Sequence, residues 1–165
     1  MKSIHSSDSL VGCRSTQLKR ILIFNCSGGR AGQLFLEAMV QTMASRIVLA
    51  KYDVSHPGLL LDHVIFCTNI TTPARLESDV KKAERDTVAA LTTQHEFAEA
   101  WKQLVPAFPK ENSHVLTTIQ DAVDLVGTLH DSAGAEQDMD VLVIGSLHLV
   151  GGLIGVAKLE DRAFS

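Results

Sequence analysis

Four short apolar segments, each followed by a segment with helical periodicity, constrain the fold of this 165-residue chain most strongly. The four segments are residues 21–24, 63–68, 114–116 and 140–144. They are short, apolar at consecutive positions and followed by turn-forming residues, which is typical of strands covered on both faces in a parallel sheet. The alternation predicts an α/β, Rossmann-like layered domain with a mostly parallel sheet.

The segments between these strands predict four helices. The first carries a single apolar stripe at three- and four-residue steps: Phe35, Leu36, Met39, Val40, Met43 and Ile47. The second ends before Pro106, the third covers residues 119–129, and the last runs from Leu147 to about Lys158. Right-handed crossovers are expected to place helices on both faces of the sheet. We expect residues 1–19 to form a poorly ordered lead-in, residues 69–86 a charged, solvated loop, and residues 20–165 one domain.

Composition narrows the possible partners. The chain is 45% hydrophobic and 21% charged, with a net charge of −4 and 5% aromatic residues, which argues against a nucleic-acid surface. The longest apolar stretch contains Glu37, Gln41 and Arg46, so we expect no membrane span, and residues 1–17 lack the apolar run of a secretory signal. Three widely spaced cysteines predict reduced thiols in an intracellular compartment, with neither a disulfide framework nor a structural zinc site.

Ligands of open parallel sheets bind at the carboxyl ends of the strands, which here are residues 25–30, 68–72, 117–118 and 145–148. In the first of these turns, backbone N–H groups after Asn25 and the side chain of Arg30 are candidates for binding an anion. The alternative is a tight turn in which glycine supplies a positive φ. The chain contains neither G-x-G-x-x-G nor G-x-x-x-x-G-K-[ST], so both nucleotide-binding fingerprints are absent.

The last strand end has a more specific pattern. Ser146 is expected at the N-cap of the final helix, where its hydroxyl can accept from a backbone N–H or meet a ligand carboxylate. His148 lies two residues further and is the histidine nearest to a predicted strand-end cleft. The helix behind contains Gly151, Gly152 and Gly155, each costing about 1 kcal/mol relative to alanine, so we expect close packing there or a close approach by another surface.

The other polar residues predict no catalytic or metal site. His63 and His114 each open a strand, and no histidines are spaced as metal ligands. His95 and Glu96 lack the second histidine of H-E-x-x-H, and no G-x-S-x-G occurs. The residues themselves therefore indicate a cleft suited to a small anion and name no reaction.

Three segments resemble one enzyme family in the right order. Residues 141–152 read V-L-V-I-G-S-L-H-L-V-G-G, residues 21–30 read I-L-I-F-N-C-S-G-G-R, and residues 61–69 read L-D-H-V-I-F-C-T-N. The first is similar to the V-L-V-T-G-S-L-H-L-V-G-G motif near the C-terminus of eukaryotic folylpolyglutamate synthases, and the other two are similar to upstream segments of that family. The resemblance covers residues 19–160.

The resemblance implies the C-terminal domain of a Mur ligase fold, in an ATP-dependent ligase that adds L-glutamate to the γ-carboxyl of tetrahydrofolate. ATP-Mg²⁺ phosphorylates the carboxylate of the folate, and the amine of free L-glutamate attacks the acyl phosphate. Ser146 and His148 match the segment associated with the glutamate site, and Asn25 and Arg30 are the candidates for nucleotide or anion binding. We expect a cytoplasmic location, with a mitochondrial one as the alternative.

Departures from the family pattern limit this expectation. Family members usually have aspartate beside the arginine, where this chain has Gly29 and Ala31. The D-G-A-H-T segment, the phosphate-binding loop and the metal ligands of the family's ATP-binding domain are absent, so we expect this chain alone to be inactive and to bind neither ATP nor Mg²⁺. A missing first strand and helix would leave one sheet edge uncovered. The alternative function is a non-catalytic module that binds a small anion or another chain.

Overall fold

The fold is built on a four-stranded, all-parallel sheet with the order β3-β2-β1-β4. The computed structural model describes residues 18–50, 55–74, 91–133 and 137–159. In chain order the elements are β1 (Lys19–Asn25), α1 (Gly29–Ala50), β2 (His63–Cys67), α2 (Thr92–Leu104), β3 (Ser113–Leu116), α3 (Ile119–Ala133), β4 (Met139–Gly145) and α4 (Leu147–Val156). Two short 3₁₀ turns, Pro57–Leu60 and Lys110–Asn112, precede β2 and β3. The predicted alternation of strands and helices and the parallel sheet are confirmed.

Strand β1 is the centre of the sheet. It pairs on one side with β2, where Ile21 lies opposite His63, and on the other side with β4, from Lys19 opposite Met139 to Asn25 opposite Gly145. Its last five residues are all buried, since neighbouring strands cover both edges and helices cover both faces. The uninterrupted apolar run at residues 21–24 reflects this double coverage.

Alternate residues of the strands pack into two separate hydrophobic cores, one on each face of the sheet. Leu22 and Phe24 face α1 and α2 and pack with Leu36, Phe97 and Trp101. The opposite face of the sheet is covered by α3 and α4, with a second cluster of buried side chains formed by Ile21, Ile23, Ile65, Cys67, Ile119, Ala122, Leu149 and Leu153. Helices therefore lie on both faces, as predicted.

Strand β4 is less covered than its sequence predicts. Val141 and Leu142 are 38% and 46% exposed, because β4 is the last strand of the sheet and nothing in the described part of the chain pairs with its outer edge. An uncovered edge was expected from the family resemblance, but consecutive apolar residues in β4 gave no indication that β4 itself forms that edge.

Two further differences from the sequence prediction concern the exposure of Phe35 and the start of α2. Phe35, predicted on the core stripe of α1, is 45% exposed and reaches only the rim of the core, where its ring lies 5.9 Å from that of Phe24. Helix α2 begins after Leu91, whose φ of +48° is outside the helical region. The predictions for residues 1–17 and for most of residues 69–86 lie outside the described residues. Among the described helices, none combines the length and apolar character needed to cross a membrane.

Cys67 closes β2 inside the second core. Its side chain is fully buried, and burial, with a smaller contribution from the nearby Asp121 carboxylate, raises the pKa of the Cys67 thiol to about 12. The thiol therefore stays protonated at neutral pH and packs as a small apolar group.

The glycines of α4 do not share one explanation. A Cβ at Gly152 would press against the side chains of Ile119 and Thr71, so this glycine allows α4 to pack closely on α3 and on the turn after β2. That close packing was one of the two reasons expected from the sequence. Gly151 is exposed and has open space around it, so its cost to the helix has no packing reason.

We predict opposite effects for two glycine-to-alanine substitutions. Gly145 has a φ of +127°, and a Cβ there would overlap the backbone carbonyl of Asn25. Gly145→Ala is expected to lower the free energy of unfolding by roughly 3 kcal/mol, from backbone strain and displacement of β1 from β4. The matched change Gly151→Ala is expected to raise it by about 0.5–1 kcal/mol, since alanine favours a helix. Urea denaturation measures both, and equal effects at the two positions would contradict this explanation.

Candidate functional site

The four predicted strand-end turns are joined to one another by hydrogen bonds. The Ser146 backbone N–H donates to the carbonyl of Asn25 over 2.8 Å, and the Asn25 side chain donates from Nδ2 to Oδ1 of Asn69 over 2.9 Å. The Thr68 hydroxyl donates to the carbonyl of Thr117 over 2.5 Å. The convergence expected from a parallel topology is therefore present.

Strands β1 and β4 form the topological switch point of the sheet. The chain moves outward from β1 through β2 to β3 and then returns to the other side of β1 with β4. Helix α1 leaves β1 toward one face and α4 leaves β4 toward the other, so the turns after the two strands diverge. In open α/β sheets this is where ligand crevices form. The two turns with the strongest sequence signals, after Asn25 and at Ser146, both lie there.

A polar cavity of about 280 Å³ opens beside these turns, at the carboxyl ends of β1 and β2. Three side-chain amides line it: Asn25, Asn69 and Gln94. Gln94 donates from Nε2 to Oδ1 of Asn25 over 3.1 Å, and both residues are more than nine-tenths buried. The Asn25 amide is thus engaged at both its donor and its acceptor end, and it holds α2 and the turn after β2 in place around the cavity.

The sequence prediction of the site does not include Gln94, although the position of Gln94 on its helix carries a signal that it is buried. Together with Phe97 and Trp101 it occupies positions i, i+3 and i+7 of α2, the face that packs on the sheet. A polar side chain on the apolar face of a helix requires a buried hydrogen-bond partner. Which partner it finds depends on the packing of α2 over the end of β1.

Ser146 is the N-cap of α4, as predicted. Its hydroxyl accepts from the backbone N–H of His148 over 3.2 Å, and its side chain is only partly buried. The side chain of His148 is exposed, and that of Leu147 is 86% exposed, so the first turn of α4 faces open space. Ser146 is not sealed beneath other side chains.

The N-terminus of α3 offers a contrast at a neighbouring strand end. The backbone N–H groups of Ile119 and Gln120 donate to the carbonyls of Ile70 and Thr71, and that of Asp121 donates to the hydroxyl of Thr118. These donors are satisfied inside the molecule. In α4 the N–H groups of His148, Leu149 and Val150 likewise have an acceptor, on Ser146, so the first turn of α4 is the more open of the two only in the exposure of its side chains.

Arg30 is not brought into the cavity beside Asn25. Its exposed side chain lines a groove of about 300 Å³ between α1 and α2, together with Glu37 and Gln103. Gly28, two residues before it, has a φ of +90°, so a glycine-dependent tight turn, the alternative expected from the sequence, is present. The roles predicted for Asn25, Arg30, Ser146 and His148 in binding stay predictions.

A carboxylate from another helix approaches the turn after β1. The Glu96 side chain of α2 lies against Gly29, at the first residue of α1, where an added Cβ would overlap the carboxyl group. The sequence lacks an acid at positions 29 and 31, and the fold places this one beside Gly29. A negative charge there favours the helix dipole of α1 and opposes a second anion at the same place.

The described residues do not fit a metal–nucleotide site. No group of three His, Cys, Asp or Glu side chains in the described ranges is arranged to hold a metal ion. The nearest polar cluster, around Asn25, consists of neutral amides that are hydrogen-bonded to one another. No step that requires bound ATP or Mg²⁺ is therefore assigned to these residues.

His63 and His114 meet at the opposite end of the sheet, although their spacing in the sequence gave no sign of it. Nδ1 of His63 lies 3.2 Å from Nε2 of His114, which requires at least one ring to be neutral. Burial lowers the pKa of both rings. Lys19 lowers that of His63 further while Asp62 opposes the shift, and the neighbouring His63 adds to the lowering at His114.

We predict that removing the Asn25 side chain destabilises the fold because the buried Gln94 amide then loses its acceptor. Asn25→Ala removes the acceptor of a buried amide, so we expect the free energy of unfolding to fall by about 1–3 kcal/mol. In the double variant Asn25→Ala/Gln94→Leu no buried amide is left without a partner. We therefore expect the double variant to recover part of the lost free energy of unfolding. A double-mutant cycle by chemical denaturation tests this, and strictly additive losses would contradict a direct coupling.

We predict that stability falls as the solution is acidified through the histidine range. Because the folded-state pKa of each ring lies below its ordinary value of 6.5, the unfolded chain binds protons first as the pH falls below that value. The melting temperature is expected to decline between about pH 7.5 and 5.5, and less steeply in His63→Gln/His114→Gln. His130→Gln, at an exposed ring, is the control, and an unchanged pH dependence in the double variant would contradict the assignment.

Comparison with known proteins supports the resemblance carried by the motifs. A folylpolyglutamate synthase of Neurospora crassa is 32% identical over 145 residues, covering 86% of this chain and 25% of the relative. Folylpolyglutamate synthase of Saccharomyces cerevisiae strain YJM789 is 29% identical over 168 aligned positions, covering 95% of this chain and 27% of the relative. No family model and no solved structure gives a significant match.

The chain spans about a quarter of the length of the curated relatives that it matches. This coverage is consistent with the C-terminal part of those enzymes, and the four-stranded parallel sheet agrees with the α/β layered fold expected there. Over most of its length, the chain is therefore a homologue of a segment of the folylpolyglutamate synthases.

Proposed function

We propose that this chain acts as the C-terminal, glutamate-holding part of an ATP-dependent ligase that extends tetrahydrofolate by L-glutamate at the γ-carboxyl. Two kinds of observation support the proposal: relatives named folylpolyglutamate synthase, and the G-S-L-H segment that closes β4 and opens α4. The reaction would take place in the cytoplasm or in mitochondria.

The observation that carries the proposal is the open first turn of α4. Ser146 combines a partly exposed hydroxyl with the positive end of a helix dipole, a combination suited to a carboxylate. In the proposal this turn holds a carboxylate of the incoming L-glutamate, and His148 lies at the rim of the same turn. The residues orient the nucleophile, and its amine remains free to attack an activated acyl group.

We propose that activation of the folate carboxylate takes place outside this chain. The sequence contains no G-x-x-x-x-G-K-[ST] loop, and the described residues provide no three-ligand metal group. Phosphoryl transfer requires a cradle for the phosphates and a cation, so both would come from a larger protein or from a partner chain. ATP, Mg²⁺ and folate are thus partners of the complete enzyme in this proposal.

A non-catalytic interaction module is the second candidate. It is favoured by the uncovered β4, whose exposed Val141 and Leu142 border a mainly apolar groove of about 390 Å³ with Met43 and Leu61. Apolar side chains on an edge strand are typical of surfaces that bind another chain. This reading requires no glutamate site at Ser146.

Calorimetric titration of the purified chain with L-glutamate separates the two candidates. We expect saturable binding that Ser146→Ala weakens about tenfold, because a hydrogen bond to a charged group is lost. Thr118→Ala is the matched control, since it removes a hydroxyl that caps α3 in the same way. Absence of binding in the unmodified chain, or equal losses in both variants, would contradict a glutamate site at Ser146 and favour the interaction module.

A ligase assay tests the second half of the proposal. The purified chain is incubated with ATP, Mg²⁺, tetrahydrofolate and L-glutamate, and polyglutamylated product is measured by mass spectrometry. We expect no product from this chain alone. Measurable turnover would show that the activating residues lie within this chain, and it would overturn the proposal that activation takes place outside it.

A further inference from the structure

A second cavity, of about 370 Å³, lies between α2 and the edge strand β3. It shares no lining residue with the strand-end cavity beside Asn25. Its volume lies within the range of small-molecule sites, roughly 300–1,000 Å³. The ligase resemblance gives this cavity no role.

The inner wall of the cavity is apolar and aromatic. Trp101 and Phe108 are more than nine-tenths buried and meet edge to face, with ring centroids 5.7 Å apart, and Val115 of β3 lies beside them. Trp101 is the single tryptophan of the chain. These side chains offer a rigid apolar surface to the body of a ligand.

The indole of Trp101 has a donor without an acceptor. Its Nε1 is buried, and no hydrogen-bond partner for it lies within the described part of the chain. The indole N–H can only donate, and a buried donor left unpaired is costly. Because this nitrogen is itself buried, a ligand in the cavity does not reach it in the folded chain, and the indole contributes apolar packing alone.

The outer rim of the cavity is positively charged. Lys102 and Lys110 line it together with one carboxylate, Glu99. Glu99 pairs with Lys102 at 2.9 Å, whereas Lys110 has no ion pair in the described structure. A local positive charge in a chain with a net charge of −4 favours anionic ligands at this place.

We propose that the cavity between α2 and β3 is a binding site for a small organic monoanion with an apolar body, such as an aryl-substituted or branched carboxylate. The carboxylate meets the ammonium group of Lys110, and the apolar body packs on Phe108 and Val115, with the buried Trp101 behind this wall. The proposal does not rest on the ligase function, because none of these residues belongs to the Ser146 turn.

The test uses 3-phenylpropanoate as the probe and the neutral 3-phenylpropanamide as its partner of equal size. Binding is followed by the fluorescence of Trp101, excited at about 295 nm, and by the single indole N–H peak in a ¹⁵N correlation spectrum. We expect saturable changes of both signals with the carboxylate, because Trp101 lies directly behind the cavity wall, and about tenfold weaker binding of the amide.

Two charge variants complete the test. Lys110→Gln is expected to weaken binding of the carboxylate about tenfold and to leave binding of the amide unchanged. Arg46→Gln, at an exposed position of α1 outside the cavity, removes the same charge and is expected to change neither affinity. The proposal is overturned by the absence of saturable changes, by equal affinities for acid and amide, or by equal effects of the two variants. The same variants are also titrated with L-glutamate. We expect both to bind L-glutamate as the unmodified chain does, because neither residue belongs to the Ser146 turn.

Discussion

The parallel pairing of β1 with β4 is the interaction on which the arrangement of the candidate site depends. The ladder runs over seven residue pairs and continues past the strands, where the Ser146 N–H donates to the carbonyl of Asn25. Gly145 permits this close approach because a side chain there would overlap that carbonyl. One backbone contact thus fixes the distance between the amide cluster around Asn25 and the open first turn of α4. The amide cluster follows β1, whose last five residues are buried, whereas the α4 turn follows the exposed edge strand β4.

The sequence predicted the layers of the fold well because each strand and helix carries its own local signal. The apolar runs at residues 21–24 and 63–67 mark strands that are buried on both faces, and Ser146 is an N-cap as its position predicts. The exposure of Val141 and Leu142 was missed, since a central and an edge strand can carry the same apolar residues. Strand order decides between the two, and strand order is a property of the whole sheet.

The candidate site was predictable only in part, for a similar reason. The carboxyl ends of the strands were located from topology, and Asn25 and Ser146 lie there as expected. The side chains that complete the surroundings, Gln94 and Glu96, come from a helix that is distant in sequence, and their positions follow from how α2 packs over β1. The contact between His63 and His114 joins residues 51 positions apart on neighbouring strands, which no spacing rule would reveal.

The burial of Cys67 has a consequence for the chemistry of the folded chain. With no exposed surface and a pKa of about 12, the thiol offers neither access nor thiolate to an electrophile at neutral pH. Cys26, at the end of β1, is only partly covered. Covalent labelling or oxidation at Cys67 would consequently occur only in molecules whose sheet has opened, so the extent of Cys67 modification would measure how often the sheet opens.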